Sequence, residues 1–302
     1  MIRNMDELIR KVKTDPEKKR MAIAAVGEEH TMQAVAHAMK DGIIQPILVG
    51  DKAEINRILN ELDIRVSESD IYDVPTPQLA AEQAVALVRD AKADFLMKGY
   101  LETKVILKAV VDKEKGLGTG SAMSLFSIFE TPGYHKLLVP VDGGMITYPT
   151  LDQKAAIINN TVNALLTLGY DCPKVGVLAC VEKVNPNMPE TLDAAELVRM
   201  NKNGIIKNCI VEGPISYDCA VSAEIAKIKN YESQIAGDVD ILVAPNIHAG
   251  NIMGKMLLCT CGAKMAGMVV GAKCPIVLTS RGSTSEEKYL SIALSAAASG
   301  RK

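Results

Sequence analysis

The chain has 302 residues, 48% hydrophobic and 23% charged, with 34 Lys and Arg against 36 Asp and Glu. A net charge of -2 and only 4% aromatic residues exclude a basic, base-stacking nucleic-acid binder, and the ordinary balance excludes a disordered chain. At this size roughly 75% of the extended surface is buried on folding, so neither disulfides nor a structural metal are needed.

The N-terminal MIRNMDELIRKVK is amphipathic and charged. It is not read as a secretory signal, and no run approaches the ~20 apolar residues of a spanning helix, so a cytoplasmic location is expected. Residues 20–26 (RMAIAAV) read as a strand and 30–40 as a helix with Met32, Val35 and Met39 on one face. A second strand spans 44–49, closed by Gly50, and Asp51 caps a helix running to 62. Helix is expected at 78–90, strand at 95–98 and helix at 103–111. Repeated β-α order predicts a parallel sheet covered on both faces.

The GLGTGSA segment (116–122) lacks the Lys-Ser/Thr ending of a P-loop and reads as a flexible turn. SLFSIFE and HKLLVPV follow as two extended runs without a crossover helix, expected to pass between two domains. Then helix 152–168, strand 175–181, helix 191–200, strand 205–211, helix 219–229, strand 240–244 and helix 251–261 restore the alternation. Strands around Met268 and Ile276 and a helix over 284–298 complete it. The expected class is α/β: two α/β/α domains with mainly parallel sheets, one formed by 1–133 plus 268–302 and the other by 134–267. The seven cysteines (172, 180, 209, 219, 259, 261 and 274) form no C-x-x-C pair and are expected to be small buried thiols.

Ligands of open parallel sheets bind beyond the carboxyl ends of strands, and three such corners are rich in polar and small residues. In Glu212-Gly-Pro-Ile-Ser-Tyr-Asp218, Gly213 and Pro214 shape a turn and Asp218 is placed to cap the next helix; the corner is a capped loop or a ligand lining. In Ala244-Pro-Asn246-Ile-His248-Ala-Gly250-Asn251, Gly250 lets a ligand approach the backbone. The helix starting there offers N–H groups to an anion that Lys255, one turn further in, could reach, while His248 has no evident partner. In the third, Ser280-Arg281-Gly282 ends a strand, and an arginine flanked by hydroxyls and glycine suits bidentate phosphate binding. Ser283 with Glu286, or Thr284 with Glu287, fits a capping box, so Glu287 stands open between helix cap and general base. No metal-binding carboxylate cluster is visible in the sequence.

The three corners in this order, EGPISYDCAVS (212–222), GDVDILVAPNIHAGNIMGKM (237–256) and TSRGSTSEE (279–287), resemble the phosphate acetyltransferase and phosphate butyryltransferase family. Upstream, LMKGYLETKVILKAVV, PTLDQKAAIINN and NPNMPETLDAAELV look more like the butyryl than the acetyl branch. The resemblance implies an architecture similar to isocitrate and isopropylmalate dehydrogenases, with an interdomain cleft, and a homo-oligomer. It implies reversible transfer of a short acyl group, butyryl preferred, between coenzyme A and inorganic phosphate, with no bound cofactor and direct transfer in a ternary complex. Ser280 and Arg281 match the family's Ser-Arg pair, Arg281 holding phosphate and Ser280 bonding the reacting carbonyl or departing thiolate; Gly282 follows in the same loop. Glu287 occupies the position of the family's catalytic aspartate. Relatives place an arginine in the stretch matching 116–121 and another in the helix matching 103–111; here the first has none and the second carries only Lys104 and Lys108. The alternatives are an acetyl-preferring enzyme, a metal- and NAD-dependent dehydrogenase on a similar fold, and a non-catalytic acyl-CoA-binding protein.

Overall fold

The computed structural model describes residues 1–27, 29–280 and 282–300. Chain order gives α1 (Met5–Thr14), β1 (Lys19–Ala24), α2 (Glu29–Lys40), β2 (Ile44–Gly50), α3 (Lys52–Glu61), β3 (Ile71–Asp73), α4 (Pro77–Arg89), β4 (Phe95–Lys98) and α5 (Thr103–Val110). Next come β5 (Ser124–Glu130), β6 (Val139–Val141), α6 (Leu151–Thr167), β7 (Lys174–Leu178), α7 (Pro189–Lys202), β8 (Ile210–Ile215), α8 (Tyr217–Val221) and α9 (Ala223–Ile228). The chain closes with β9 (Ile241–Val243), α10 (Ile247–Cys259), β10 (Lys264–Val270), β11 (Ile276–Val277) and α11 (Ser285–Ala298). Contacts divide it into one unit of Met1–Met5 with Ala122–Met265 and another of Asp6–Ser121 with Ala266–Lys302.

In the unit that begins at Asp6, strands lie in the order β3-β2-β1-β4-β11-β10. All neighbours are parallel except β10 and β11. β1, β2 and β4 are buried along almost their whole length, as expected of parallel strands covered on both faces. Helix starts follow capping chemistry: Asp51 accepts from the Glu54 N–H at 3.0 Å, and Thr76 accepts from Leu79 ahead of Pro77.

In the other unit the order is β6-β9-β7-β8, all parallel. β5 and the approach to β6 meet antiparallel, with Phe129 and Leu138 exchanging N–H bonds of 2.8 and 2.9 Å. Thr150 and Gln153 form a full capping box at α6.

Three expectations are corrected here. The strand placed at 205–211 lies at Ile210–Ile215 and runs through Gly213 and Pro214, so these residues belong to a strand and not to a turn. Proline is tolerated because β8 is an edge strand and the β7–β8 register breaks between Gly176 and Leu178. The helix placed at 251–261 starts at Ile247 with Asn246 as its cap. Burial of the thiols fails for four of seven: Cys172, Cys180, Cys259 and Cys261 are exposed, while Cys219 and Cys274 are buried.

Two constraints hold the parallel unit around β6. Asp142, only 3% exposed, accepts from the N–H groups of Gly144, Met145 and Ile146 at 2.9–3.1 Å and more weakly from Leu125. Burial still pushes its carboxyl above the usual range against those four donors. At the amino ends of the strands, Asp238 collects Lys174, Lys136 at 3.0 Å and His135 at 2.8 Å. Partial burial works to raise the Asp238 pKa, but hydrogen bonds from these three partners outweigh it and hold the carboxyl far below its ordinary value.

A Cβ on Gly250 would stand 2.4 Å from the Asp142 carbonyl oxygen. Gly250→Ala is therefore expected to destabilise this unit by about 2 kcal/mol or more, read as a lower urea midpoint at unchanged slope. Because the folded pKa of Asp238 is depressed, its contribution is present above pH ~3.9 and is lost as pH falls through the folded value. Asp238→Asn should cost stability at pH 7, and the gap to the native chain should close below about pH 4; a constant gap across that range in urea titrations would refute the assignment.

Candidate active site

β4 and β11 run side by side, with Leu96 opposite Ile276 and Met97 opposite Val277. Both deliver their carboxyl ends to one place, the usual ligand position in such a sheet. A cavity of about 440 Å³ opens there, lined by Lys98, Gly99, Tyr100, Glu102, Thr279 and Ser280 among others. Its base is backbone: Gly99 donates to the Ala24 carbonyl at 2.9 Å and Tyr100 to Ala25 at 2.6 Å. A Cβ on Gly99 would lie 2.3 Å from the Ala25 carbonyl oxygen, so only glycine can make this turn. Lys98 Nζ donates to the carbonyls of Gly99 and Leu101, each at 3.2 Å, which holds the ammonium at the loop between β4 and α5.

Ser280 is exposed three residues beyond β11. Its carbonyl accepts from the Ser283 N–H at 3.1 Å and its Oγ from the Gly282 N–H at 3.3 Å. Accepting from Gly282 leaves the Ser280 hydroxyl proton for donation, which suits a donor to a substrate oxygen or sulfur. Gly282 is exposed with open space where a side chain would be. Arg281 lies outside the described residues.

Thr284 is the cap of α11 and accepts from the backbone N–H of Glu287 at 3.1 Å. The cap is thus satisfied by the Glu287 main chain, and among the described residues no hydrogen bond or ion pair engages its carboxylate. The first turns of α11 are fastened to α2. Ser285 meets Gln33 at 3.4 Å, Lys288 donates to Thr31 at 3.2 Å, and Tyr289 donates to Asp41 at 2.5 Å while stacking on His37. Lys288 is 1% exposed, a buried cation that the sequence reading did not single out.

The remaining residues named from sequence lie in the other unit. Gly213 has no room for a Cβ, which would meet Val177 at 2.9 Å. Asp218 is not a helix cap: it sits inside α8, where Ser216 precedes the first turn, and Ser222 caps α9. It pairs instead with Lys229 Nζ at 2.8 Å, and the same ammonium meets Glu182 at 2.9 Å. Hydrogen bonds from Lys229 and Ser216 draw the Asp218 pKa down to about 2. Glu182, Asp218 and Cys219 are close enough to share a cation, but Lys229 already occupies the space between the two carboxylates.

Asn246 caps α10 by accepting from Ala249 at 3.2 Å, while Ile247 and Gly250 donate to the Thr147 and Asn246 carbonyls. Most first-turn N–H groups are therefore spent, contrary to the expectation of a free anion-binding terminus. Gly250 serves a backbone contact with Asp142 rather than ligand approach, and Asn251 bonds the Gly143 carbonyl at 3.0 Å. His248 has a partner after all, the Tyr148 hydroxyl at 3.1 Å. Lys255 is exposed about 12 Å along the axis from Ile247, not one turn in, because the helix starts four residues earlier than expected. A second cavity, of about 690 Å³ and mostly apolar, lies at the carboxyl ends of β7 and β9, with Leu178, Met253 and Met256 in its wall.

Sequence reading reached Ser280 and missed Lys98, Tyr100 and Glu102. The available signal was a lysine followed by glycine at the end of a short apolar strand, in the segment otherwise used only for its resemblance.

The chain matches the family described as phosphate acetyl/butaryl transferase over residues 4–80 and 75–296. It is 43% identical to a phosphate butyryltransferase of Clostridium acetobutylicum over 302 residues, covering 100% of both chains. It is 42% identical to a phosphate acetyltransferase of Thermotoga maritima over 278 residues, 92% of this chain and 94% of that one. The crystal structure of a branched-chain phosphotransacylase from Enterococcus faecalis superposes with a TM-score of 0.82 at 29% identity, covering 94% of this chain and 100% of that one. A 4-hydroxythreonine-4-phosphate dehydrogenase from Burkholderia phymatum shares the fold alone, with a TM-score of 0.58 at 16% identity over 95% of this chain and 100% of that one. By the extent of these matches, the chain belongs to the phosphate acetyl/butaryl transferase family.

Proposed function

We propose that this protein transfers a short acyl group, preferentially butyryl, reversibly between coenzyme A and inorganic phosphate. The observation that carries the reading is the end-to-end match, at 43% identity, to a phosphate butyryltransferase. The 42% identity to an acetyltransferase makes overlap in substrates part of the proposal, since two methylenes are worth only about 1.5 kcal/mol in an apolar pocket.

In the proposed path a phosphate oxygen attacks the thioester carbonyl, the C–S bond breaks, and the departing sulfur takes a proton to become the thiol. No atom changes oxidation state, so the two substrates suffice and no cofactor is required. Ser280 donates its hydroxyl proton to the charge developing on carbonyl oxygen or sulfur, and Arg281 holds phosphate for attack. Glu287 moves the thiol proton, giving it to the leaving sulfur in one direction and taking it in the other. A free thiol near pKa 8.5 is only a few per cent ionised at neutral pH, so that step needs a base.

The test is phosphate-dependent release of coenzyme A from acetyl-, propionyl-, butyryl- and valeryl-CoA, without added metal or nicotinamide. The rate is expected to peak at four carbons; a peak at two would transfer the protein to the acetyl branch, and no release would favour the binding-protein alternative. Ser280→Ala should lower kcat by about 10²–10³-fold. Arg281→Ala should act chiefly on the phosphate KM, and Glu287→Gln should lower the rate of acyl phosphate with coenzyme A by about 10²-fold or more. Full activity of Glu287→Gln would reduce this residue to its main-chain part in the α11 cap.

No helix among the described residues is long and apolar enough to cross a membrane. The reading includes a cytoplasmic homo-oligomer, supported by the exposed Ile252 and Met256 on α10. Light scattering should give a mass of at least twice 32.4 kDa, and a monomer at micromolar concentration would remove that part.

A further inference from the structure

We propose that Tyr100, with Leu101 beside it, is the surface on which the acyl chain lies in this enzyme, and so sets its preference among short acyl groups. The proposal rests on the transferase reading above and gives it a chain-length determinant, from a loop outside the three polar corners of the sequence.

Three observations carry it. First, the cavity at the ends of β4 and β11 has two unlike sides. Thr279 and Ser280 bring hydroxyls from beyond β11, while Tyr100 and Leu101 bring a ring and an aliphatic group from the loop after β4; Lys98 and Glu102 line it as well. The register that sets Met97 against Val277 puts both loops on one edge of the sheet. Second, Tyr100 is 69% exposed and yet fixed by its main chain. Its N–H donates to the Ala25 carbonyl at 2.6 Å, and Ala25 holds a φ of 59°, a conformation that residues with a side chain rarely adopt. Third, the ring lies against bare backbone. A Cβ on Gly27 would stand 3.2 Å from the Tyr100 Cβ and 3.5 Å from its Cδ1. A tyrosine placed in this way offers a large apolar face at little cost in side-chain freedom.

The chemistry selects the acyl chain. An acyl thioester and an acyl phosphate share one part, an alkyl chain ending in a carbonyl. With the carbonyl at the Ser280 hydroxyl, the chain gains from an apolar neighbour in the same cavity, and each methylene that leaves water there adds to binding. A four-carbon chain therefore gains over a two-carbon one. An adenine ring would also stack on an exposed tyrosine, but it lies at the far end of coenzyme A from the reacting carbonyl, whereas Tyr100 shares a cavity with Ser280.

The experiment compares the native protein with Tyr100→Ala, Tyr100→Phe and Leu101→Ala. KM is measured for acetyl-CoA, butyryl-CoA and phosphate, and in reverse for butyryl phosphate and coenzyme A. Binding of acetyl-CoA, butyryl-CoA and coenzyme A is followed by calorimetry without phosphate. Tyr100→Ala should raise KM for butyryl-CoA and butyryl phosphate about five- to tenfold, and for acetyl-CoA less than about threefold. The KM values of phosphate and coenzyme A should stay within about twofold. Leu101→Ala should act in the same direction more weakly, and Tyr100→Phe should behave as native.

An equal rise for acetyl-CoA, butyryl-CoA and coenzyme A with butyryl phosphate unchanged would assign the ring to adenine and overturn the proposal. A Tyr100→Phe protein as impaired as Tyr100→Ala would assign the effect to the hydroxyl and overturn it too. So would lower thermal stability and kcat with no selective change among the KM values, the pattern of a structural role. The calorimetric arm separates these failures from failure of the function itself. If the native protein prefers butyryl-CoA over acetyl-CoA through Tyr100 but releases no coenzyme A with phosphate, the transferase reading falls and the chain site stands. Equal butyryl-CoA affinity in a folded Tyr100→Ala protein removes the chain site and leaves that reading untouched.

Discussion

The parallel pairing of Ile276 and Val277 with Leu96 and Met97 is the constraint on which the candidate site depends. A two-residue strand, arriving about 180 residues after its neighbour, completes the edge of β4 and carries the Ser280 loop to the Lys98 turn. Nothing local dictates that meeting. It follows from near-continuous burial of both strands and from a register in which a slip of one residue would turn every side chain to the other face. The α11 contacts with Thr31, Gln33 and Asp41 then fix the segment that follows. Glu287 is held by its main chain at a defined point of the first turn, and among the described residues no hydrogen bond or ion pair engages its carboxylate.

In the other unit the organising contact is of a different kind. Asp142 gathers four N–H groups of the chain around it, and Gly250 brings α10 against its carbonyl. The helix is positioned by a backbone-to-backbone approach that any side chain at Gly250 would prevent. Asn246 and Asn251, which read from sequence as ligand contacts, bond the Ala249 N–H and the Gly143 carbonyl instead.

Legibility in sequence divided along physical lines. Where periodicity and capping chemistry agreed, elements were recovered closely, as at Phe95–Lys98, at Ser124–Glu130 and in the Asp51-capped α3. Errors arose where a residue's general tendency was overridden by its neighbours. Gly213 and Pro214 read as a turn, yet an edge position and a register break let them continue β8. Asp218 read as a cap, but Lys229 provided a stronger partner. Four cysteines expected inside are exposed, because thiols are small enough to be accepted in either place. Ser280 was found through its resemblance to the family's Ser-Arg pair. Lys98 was passed over because the two carbonyls that fix its ammonium come from a turn whose shape depends on Ala24 and Ala25, distant in sequence.

The position of β11 also has a consequence for synthesis of the protein. Until residue 277 has left the ribosome, β4 is an unpaired strand edge on an otherwise formed β3-β2-β1-β4 sheet, open for roughly ten to forty seconds at ordinary translation rates. An exposed apolar edge of that duration invites pairing with another nascent chain. The demand on chaperones should therefore be greatest while the middle of the chain is being made, and slowing translation between the codons for Lys98 and Ile276 would lower yield more than slowing it elsewhere.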